Sequence, residues 1–174
     1  MSSERRYLLE RVDDAAVVQL YADGFASLSL REKTLAWHLY LAALVGRDIY
    51  YDQRHALGLD MRAVLEAIVT HPNGVDPKVL HEVRRYTKLF WINSGPYNNI
   101  TARKFVLRLT RQELFDAAQA AARNGATLGR RPSESVERLI DRLAHRAGAG
   151  VVPSALGRGK VGELLAAATN PMAV

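Results

Sequence analysis

"SLREKTLAWHLYLAALVG", residues 29–46, decides the fold. Ser29-Leu30-Arg31-Glu32 is a capping box, in which the serine hydroxyl and the glutamate carboxylate satisfy opposite amides of a first helical turn. From Leu35 onward apolar side chains cover most of the helical circumference. The pattern predicts a helix over 30–46 that ends at Gly46 and lies at the centre of the core. His38 falls inside that apolar run, and its expected role is a hydrogen-bonded histidine of the core or its boundary.

Reading outward, "DMRAVLEAIVTHPNG" (60–74) places Met61, Val64, Leu65 and Ile68 on one stripe, predicting a helix over 60–70 that "HPNG" stops. Asp76-Pro77 supplies an N-cap and a first-turn proline for a helix over 77–92. Thr110-Arg111-Gln112-Glu113 is a second capping box, opening a helix over 111–123 with Gly125 beyond it. Val136, Leu139, Ile140 and Leu143 form the stripe of another over 134–146, and "ELLAAAT" suggests a short one over 162–169. Asp13-Asp14 reads as a surface pair. "KFVLRL" (104–109) alternates like a strand, but one strand alone makes no sheet. The expectation is an all-α, multi-helix domain of five to six helices over 1–146, followed by a Gly/Ala/Pro-rich tail over 147–174.

Composition narrows the function classes. The 174 residues suit one domain with a real core, and 48% hydrophobic against 24% charged residues is a globular balance. With no cysteine, thiolate chemistry and disulfides are excluded. The charged start "MSSERRYLLERVDD" is no signal peptide, and the apolar run at 35–45 is too short to span a bilayer, so a cytoplasmic, soluble protein is expected. The net charge of +6 comes from arginines dispersed among acids, which argues for a solvated basic surface over a nucleic-acid footprint.

No catalytic constellation emerges. Zinc peptidases need two histidines on one helical face. Of His38, His55, His71, His81 and His145, the nearest approach is "HEVRR" (81–85), where Arg85 stands in place of the second histidine. Glu134 and Glu137 read as a solvated helix face. "GRGKVGE" (157–163) has the wrong spacing for a phosphate loop. The residues as read supply no catalytic group, metal site or cofactor.

Residues 90–105, "FWINSGPYNNITARKF", stand apart. Phe90 and Trp91 are expected to end a helix against the core. Asn93, Gly95 and Pro96 turn the chain, and Tyr97, Asn98 and Asn99 display amide and phenol groups. This segment and residues 28–68 together resemble the zinc-dependent dipeptidyl peptidase III peptidases, bacterial type. The resemblance rests on Gly46-Arg47-Asp48-Ile49 with Tyr51-Asp52-Gln53, and on Asn93, Gly95, Tyr97 and Asn98 followed by Lys104-Phe105-Val106. It spans about 90 residues. Asn99-Ile100-Thr101-Ala102 departs from the Ser-Phe-Gly-Asp-like turn of eukaryotic members, and the match fades after about residue 145.

The resemblance implies the helical N-terminal part of a lobe in a much longer, two-lobed enzyme. Zinc in the full-length family is held in the other lobe, by a His-Glu-x-x-(x)-Gly-His helix and a distant glutamate that no position here matches. It also implies that Asn93, Tyr97, Asn98 and Asn99 face a peptide-binding cleft, whereas their residue types alone are explained by capping and turning. Three readings result: the N-terminal portion of such a peptidase, inactive alone; a stand-alone, non-catalytic module binding peptides or a protein partner; and, third, a basic nucleic-acid binder. Expected partners are peptides, the missing remainder of the enzyme, or a second copy meeting an exposed apolar face near Phe90, Trp91, Tyr97 and Phe105. No membrane partner is expected.

Overall fold

A computed structural model describes residues 5–129, 131 and 133–146, the side chains of His145 and Arg146 excepted. The expected helix at 162–169, the tail and "GRGKVGE" lie outside the described residues. Among the described residues, five α-helices and one two-stranded sheet make the fold mostly helical. The chain divides into two compact units, 1–50 and 51–174.

In the first unit, strands β1 (Leu8–Val12) and β2 (Ala15–Val18) pair antiparallel, with an irregularity between Leu8 and Glu10. This hairpin corrects the all-α expectation. Asp13 and Asp14 form its turn and are both exposed, in keeping with a surface pair. Asp13 takes φ 53°, a left-handed conformation that aspartate tolerates because its side chain can bond locally. Tyr7 packs edge-on against Tyr21 at 5.4 Å, and Arg5 pairs with Asp23 at 2.6 Å beside a 3-10 turn at Asp23–Phe25.

Helix α1 runs from Leu30 to Arg54. Its capping box forms as the sequence predicts, with Ser29 N–H donating to Glu32 Oε2 at 2.8 Å. Two expectations fail. Gly46 does not end the helix, because one interior glycine costs only about 1 kcal/mol against the helix-forming residues that continue to Arg54. Nor is α1 a core helix, since Tyr51 is its one buried residue. Leu30, Trp37, Leu39, Tyr40, Val45 and Ile49 are all exposed, and so is His38. The physical reason is size: a hairpin and one 3-10 turn offer too little surface to enclose so long an apolar helix.

The second unit carries the core. Helices α2 (Gly58–Thr70), α3 (Pro77–Asn93), α4 (Arg111–Arg123) and α5 (Val136–Arg146) pack α2 on α3 and α4, and α4 on α5. Gly58 opens α2 where a Cβ would come within 2.5 Å of the Tyr51 carbonyl oxygen, so only glycine fits that approach. The α2 stripe, Met61, Val64, Leu65 and Ile68, is buried, as are Leu139, Ile140 and Leu143 of α5. Ala117, Ala118, Ala120 and Ala121 bury the face of α4, small side chains that let three helices approach closely.

Caps set the boundaries. Asp76 Oδ1 accepts from the N–H groups of Lys78 and Val79, with Pro77 in the first turn. Thr110 and Glu113 form the reciprocal capping box of α4. We expect Thr110→Ala to lower the unfolding free energy of this unit by about 1 kcal/mol, read by urea denaturation. An unchanged midpoint would mean the box adds nothing.

Candidate functional site

The segment after α3 closes on itself through asparagine side chains. The helix ends in left-handed Ser94, followed by Gly95 at φ 152°, with Gly95 N–H donating to Phe90 O at 2.9 Å. Asn93 is buried. Its Nδ2 donates to Leu89 O at 2.9 Å and its Oδ1 accepts from Asn99 N–H at 3.0 Å. Asn98 Oδ1 accepts from Ile100 and Thr101 N–H, both at 2.9 Å, while Asn98 N–H donates to Arg103 O at 2.8 Å. Thus Asn93 holds the turn with both ends of its side-chain amide, and Asn98 with its carbonyl oxygen. Tyr97 bridges to Lys104 across the loop and is half-buried, and Asn99 is exposed.

Among the described residues the extended stretch 104–109 belongs to no named strand; it meets the 96–97 segment through the Tyr97–Lys104 bridge and a Phe105 N–H bond to Pro96 O at 2.8 Å. Two further polar groups are met by α3: Arg85 Nη2 donates to Val106 O at 2.9 Å, and Arg108 N–H donates to Glu82 Oε1 at 2.7 Å. Glu82 also receives the Arg85 fork. Burial works against the Glu82 charge. The Arg85 fork, the Arg108 amide and the two guanidinium charges outweigh it and hold the carboxyl below its ordinary value. Glu82 and Arg85 are therefore a structural pair, with His81 exposed beside them.

Around Tyr97 the fold gathers side chains that the sequence keeps apart. His55 lies ring to ring with Tyr97 at 6.3 Å, and Arg54 Nη2 donates to Tyr97 O at 3.3 Å. His55 Nδ1 accepts from Leu57 N–H at 3.1 Å, a bond that needs the neutral ring. Consistently, burial first and the Lys104 charge second push the imidazole below its ordinary value, and burial pushes the Lys104 ammonium down too. Tyr86, fully buried, has its phenol raised by burial and by Tyr97. The result is a polar cluster with a neutral imidazole, a half-buried lysine and a phenol. Such groups donate and accept hydrogen bonds to a ligand. Arg54, His55 and Lys104 escape a reading of the sequence because no local pattern marks a contact across 43 residues.

The four aromatics of 90–105 part company. Phe90 is fully buried and stacks on Tyr51 at 5.6 Å, Tyr97 and Phe105 are half-buried, and Trp91 is exposed. Trp91 lies on the outer face of α3, its Nε1–H donating to Glu66 at 2.9 Å, which corrects the expectation that it packs into the core.

Elsewhere, an open groove of about 660 Å³ runs between the start of α3 and α4, with Asp76, Lys78, Arg108, Asp116 and Arg123 among its lining. Among the described residues no three His, Asp or Glu side chains converge as a metal-binding group. No described helix is long and apolar enough to cross a membrane. No protein-family model and no curated protein matches the chain.

Proposed function

We propose that the chain is the N-terminal helical portion of a dipeptidyl peptidase III-like zinc peptidase, and that it hydrolyses no peptide by itself. The observation that carries this reading is α1. It contains the whole Gly46-Arg47-Asp48-Ile49 and Tyr51-Asp52-Gln53 pattern, the first of the two blocks on which the resemblance rests. A helix apolar over most of its circumference, yet with its large apolar side chains exposed from Leu30 to Tyr50, has the character of a core helix, and its enclosing elements belong to further polypeptide. In this reading Tyr97 and Asn99 remain available to a peptide, while Asn93 and Asn98 act through the shape of the loop.

The test is reconstitution. The purified chain is expected to retain no stoichiometric zinc and to release no dipeptide from an arylamide substrate. Joined or co-expressed with the polypeptide encoded downstream, it should give activity that a chelator abolishes and zinc restores. Activity of the chain alone, or a downstream sequence without a zinc-motif helix, would overturn the proposal.

The groove between α3 and α4 favours a second reading, a stand-alone module for peptides. It presents both signs of charge in an open channel, suited to the two termini of a short peptide. Calorimetry with short unmodified peptides separates the readings, since binding weakened by Arg123→Ala and Asp116→Ala assigns the groove, and its absence removes this alternative.

A further inference from the structure

We infer that α1 is a dimerisation helix, pairing antiparallel with α1 of a second copy of this chain. Leu30, Thr34, His38, Leu41, Val45 and Ile49 succeed one another at intervals of four, four, three, four and four residues. At about 100° per residue these positions form one stripe along the helix. The intervals read the same in both directions, which is what a two-fold interface requires, because residue i must meet residue j while j meets i. Pairing about a point between Leu39 and Tyr40 sets Leu30 on Ile49, Thr34 on Val45 and His38 on Leu41 of the second copy.

Charge agrees with the same register. It places Arg31 opposite Asp48 of the second copy, and the reverse, so both ends of the interface join unlike charges. A parallel pairing would instead set Arg31 on Arg31 and Asp48 on Asp48. The stripe includes the two most exposed apolar side chains of α1, Leu30 at 81% and Val45 at 82%, together with Ile49 at 62%. With Trp37 beside them, two copies cover on the order of 1,000 Å² in total, the area at which specific association begins. Thr34 and His38 supply polar positions within the stripe, a common means of fixing register. Ala36, Leu39, Tyr40 and Ala43 fall on the opposite side, so the pairing leaves room for enclosing elements from further polypeptide and does not depend on them.

The absence of cysteine makes the register directly readable. Thr34→Cys and Val45→Cys are prepared as separate full-length proteins, and each is oxidised alone and as a mixture. The mixture is expected to yield a disulfide-linked dimer. Each variant alone should not, because its two cysteines lie about 16 Å apart in the antiparallel pair. Sedimentation of the wild type should give twice the chain mass, and Val45→Glu should return it to the monomer with its helical circular dichroism intact. A monomeric wild type, cross-linking of either variant alone as fast as in the mixture, or an oligomer unmoved by Val45→Glu would overturn the inference.

Discussion

Phe90→Ala is expected to lower the stability of the 51–174 unit by about 3–5 kcal/mol, the range for emptying a fully buried aromatic site. Phe90 has no exposed surface and joins two parts of the core. Its ring stacks on Tyr51 from the last turn of α1 at 5.6 Å, and it meets Tyr86 one turn earlier on α3 at 6.2 Å. Alanine there removes both aromatic contacts and leaves a hole that surrounding rings can fill only by leaving their rotamers. A domain with a typical stability of about 5–15 kcal/mol would lose a large part of it. Phe90→Leu keeps most of the volume and should cost about 1–1.5 kcal/mol. Trp91→Ala is the control one residue away: its larger ring is exposed, and losing the Glu66 bond should cost about 1 kcal/mol. Urea denaturation of the three variants gives the ordering, and equal costs for Phe90→Ala and Trp91→Ala would contradict the burial described for them.

The contrast between these neighbours marks how far the sequence could be read. Local signals survive because they are complete within one turn. Thr110 and Glu113 satisfy each other's amides wherever the helix goes, Asp76-Pro77 starts α3, and Met61, Val64, Leu65 and Ile68 share one face by helical period alone. Where an outcome depends on distant chain, the pattern misleads. Phe90 and Trp91 are equally apolar, and only the position of Tyr51 and Glu66 separates the core face from the outer one. The apolar run of α1 predicts burial, but burial needs neighbours, and the hairpin of the first unit is too small to provide them. That hairpin hides because "LLERV" and "AAVV" are short and their turn, Asp13-Asp14, contains neither Asn nor Gly. In the candidate site, the turn-forming role of the asparagines is legible from residue type. The His55 and Lys104 that flank Tyr97 come together only through packing within the second unit, between the chain just after α1 and the 97–104 loop.

Arg142→Met should be about as damaging as Phe90→Ala, for an electrostatic reason and with a distinct pH signature. The Arg142 guanidinium donates to Asp60 Oδ2 at 2.5 Å and to both Glu134 oxygens at 2.6 and 2.9 Å, tying α5 to α2 and to the segment before α5. All three side chains are nearly buried, with 11–13% of their surface exposed. Hydrogen bonding to the two carboxylates raises Arg142 further above its ordinary range, and the same bond lowers the Glu134 carboxyl. Asp60 Oδ1 is already buried without a hydrogen-bond partner, so Asp60 depends on Arg142 for its side-chain pairing. Removing the guanidinium strands two carboxylates in a poorly solvated site, at about 3–5 kcal/mol near neutral pH. The sign with pH is set by Glu134. Its folded value lies below the unfolded one, so the wild-type pair stabilises above the ordinary carboxylate range and loses that contribution as pH falls through the folded value. In Arg142→Met the stranded charges are instead relieved by protonation, so the gap between variant and wild type should narrow on acidification from pH 7 toward pH 4. Adding Asp60→Asn and Glu134→Gln should recover much of the loss at neutral pH, because neutral amides carry no unpaired charge. A gap that stays constant with pH, or a triple variant as unstable as Arg142→Met, would show that Arg142 stabilises through packing of its stem and not through the charges it joins.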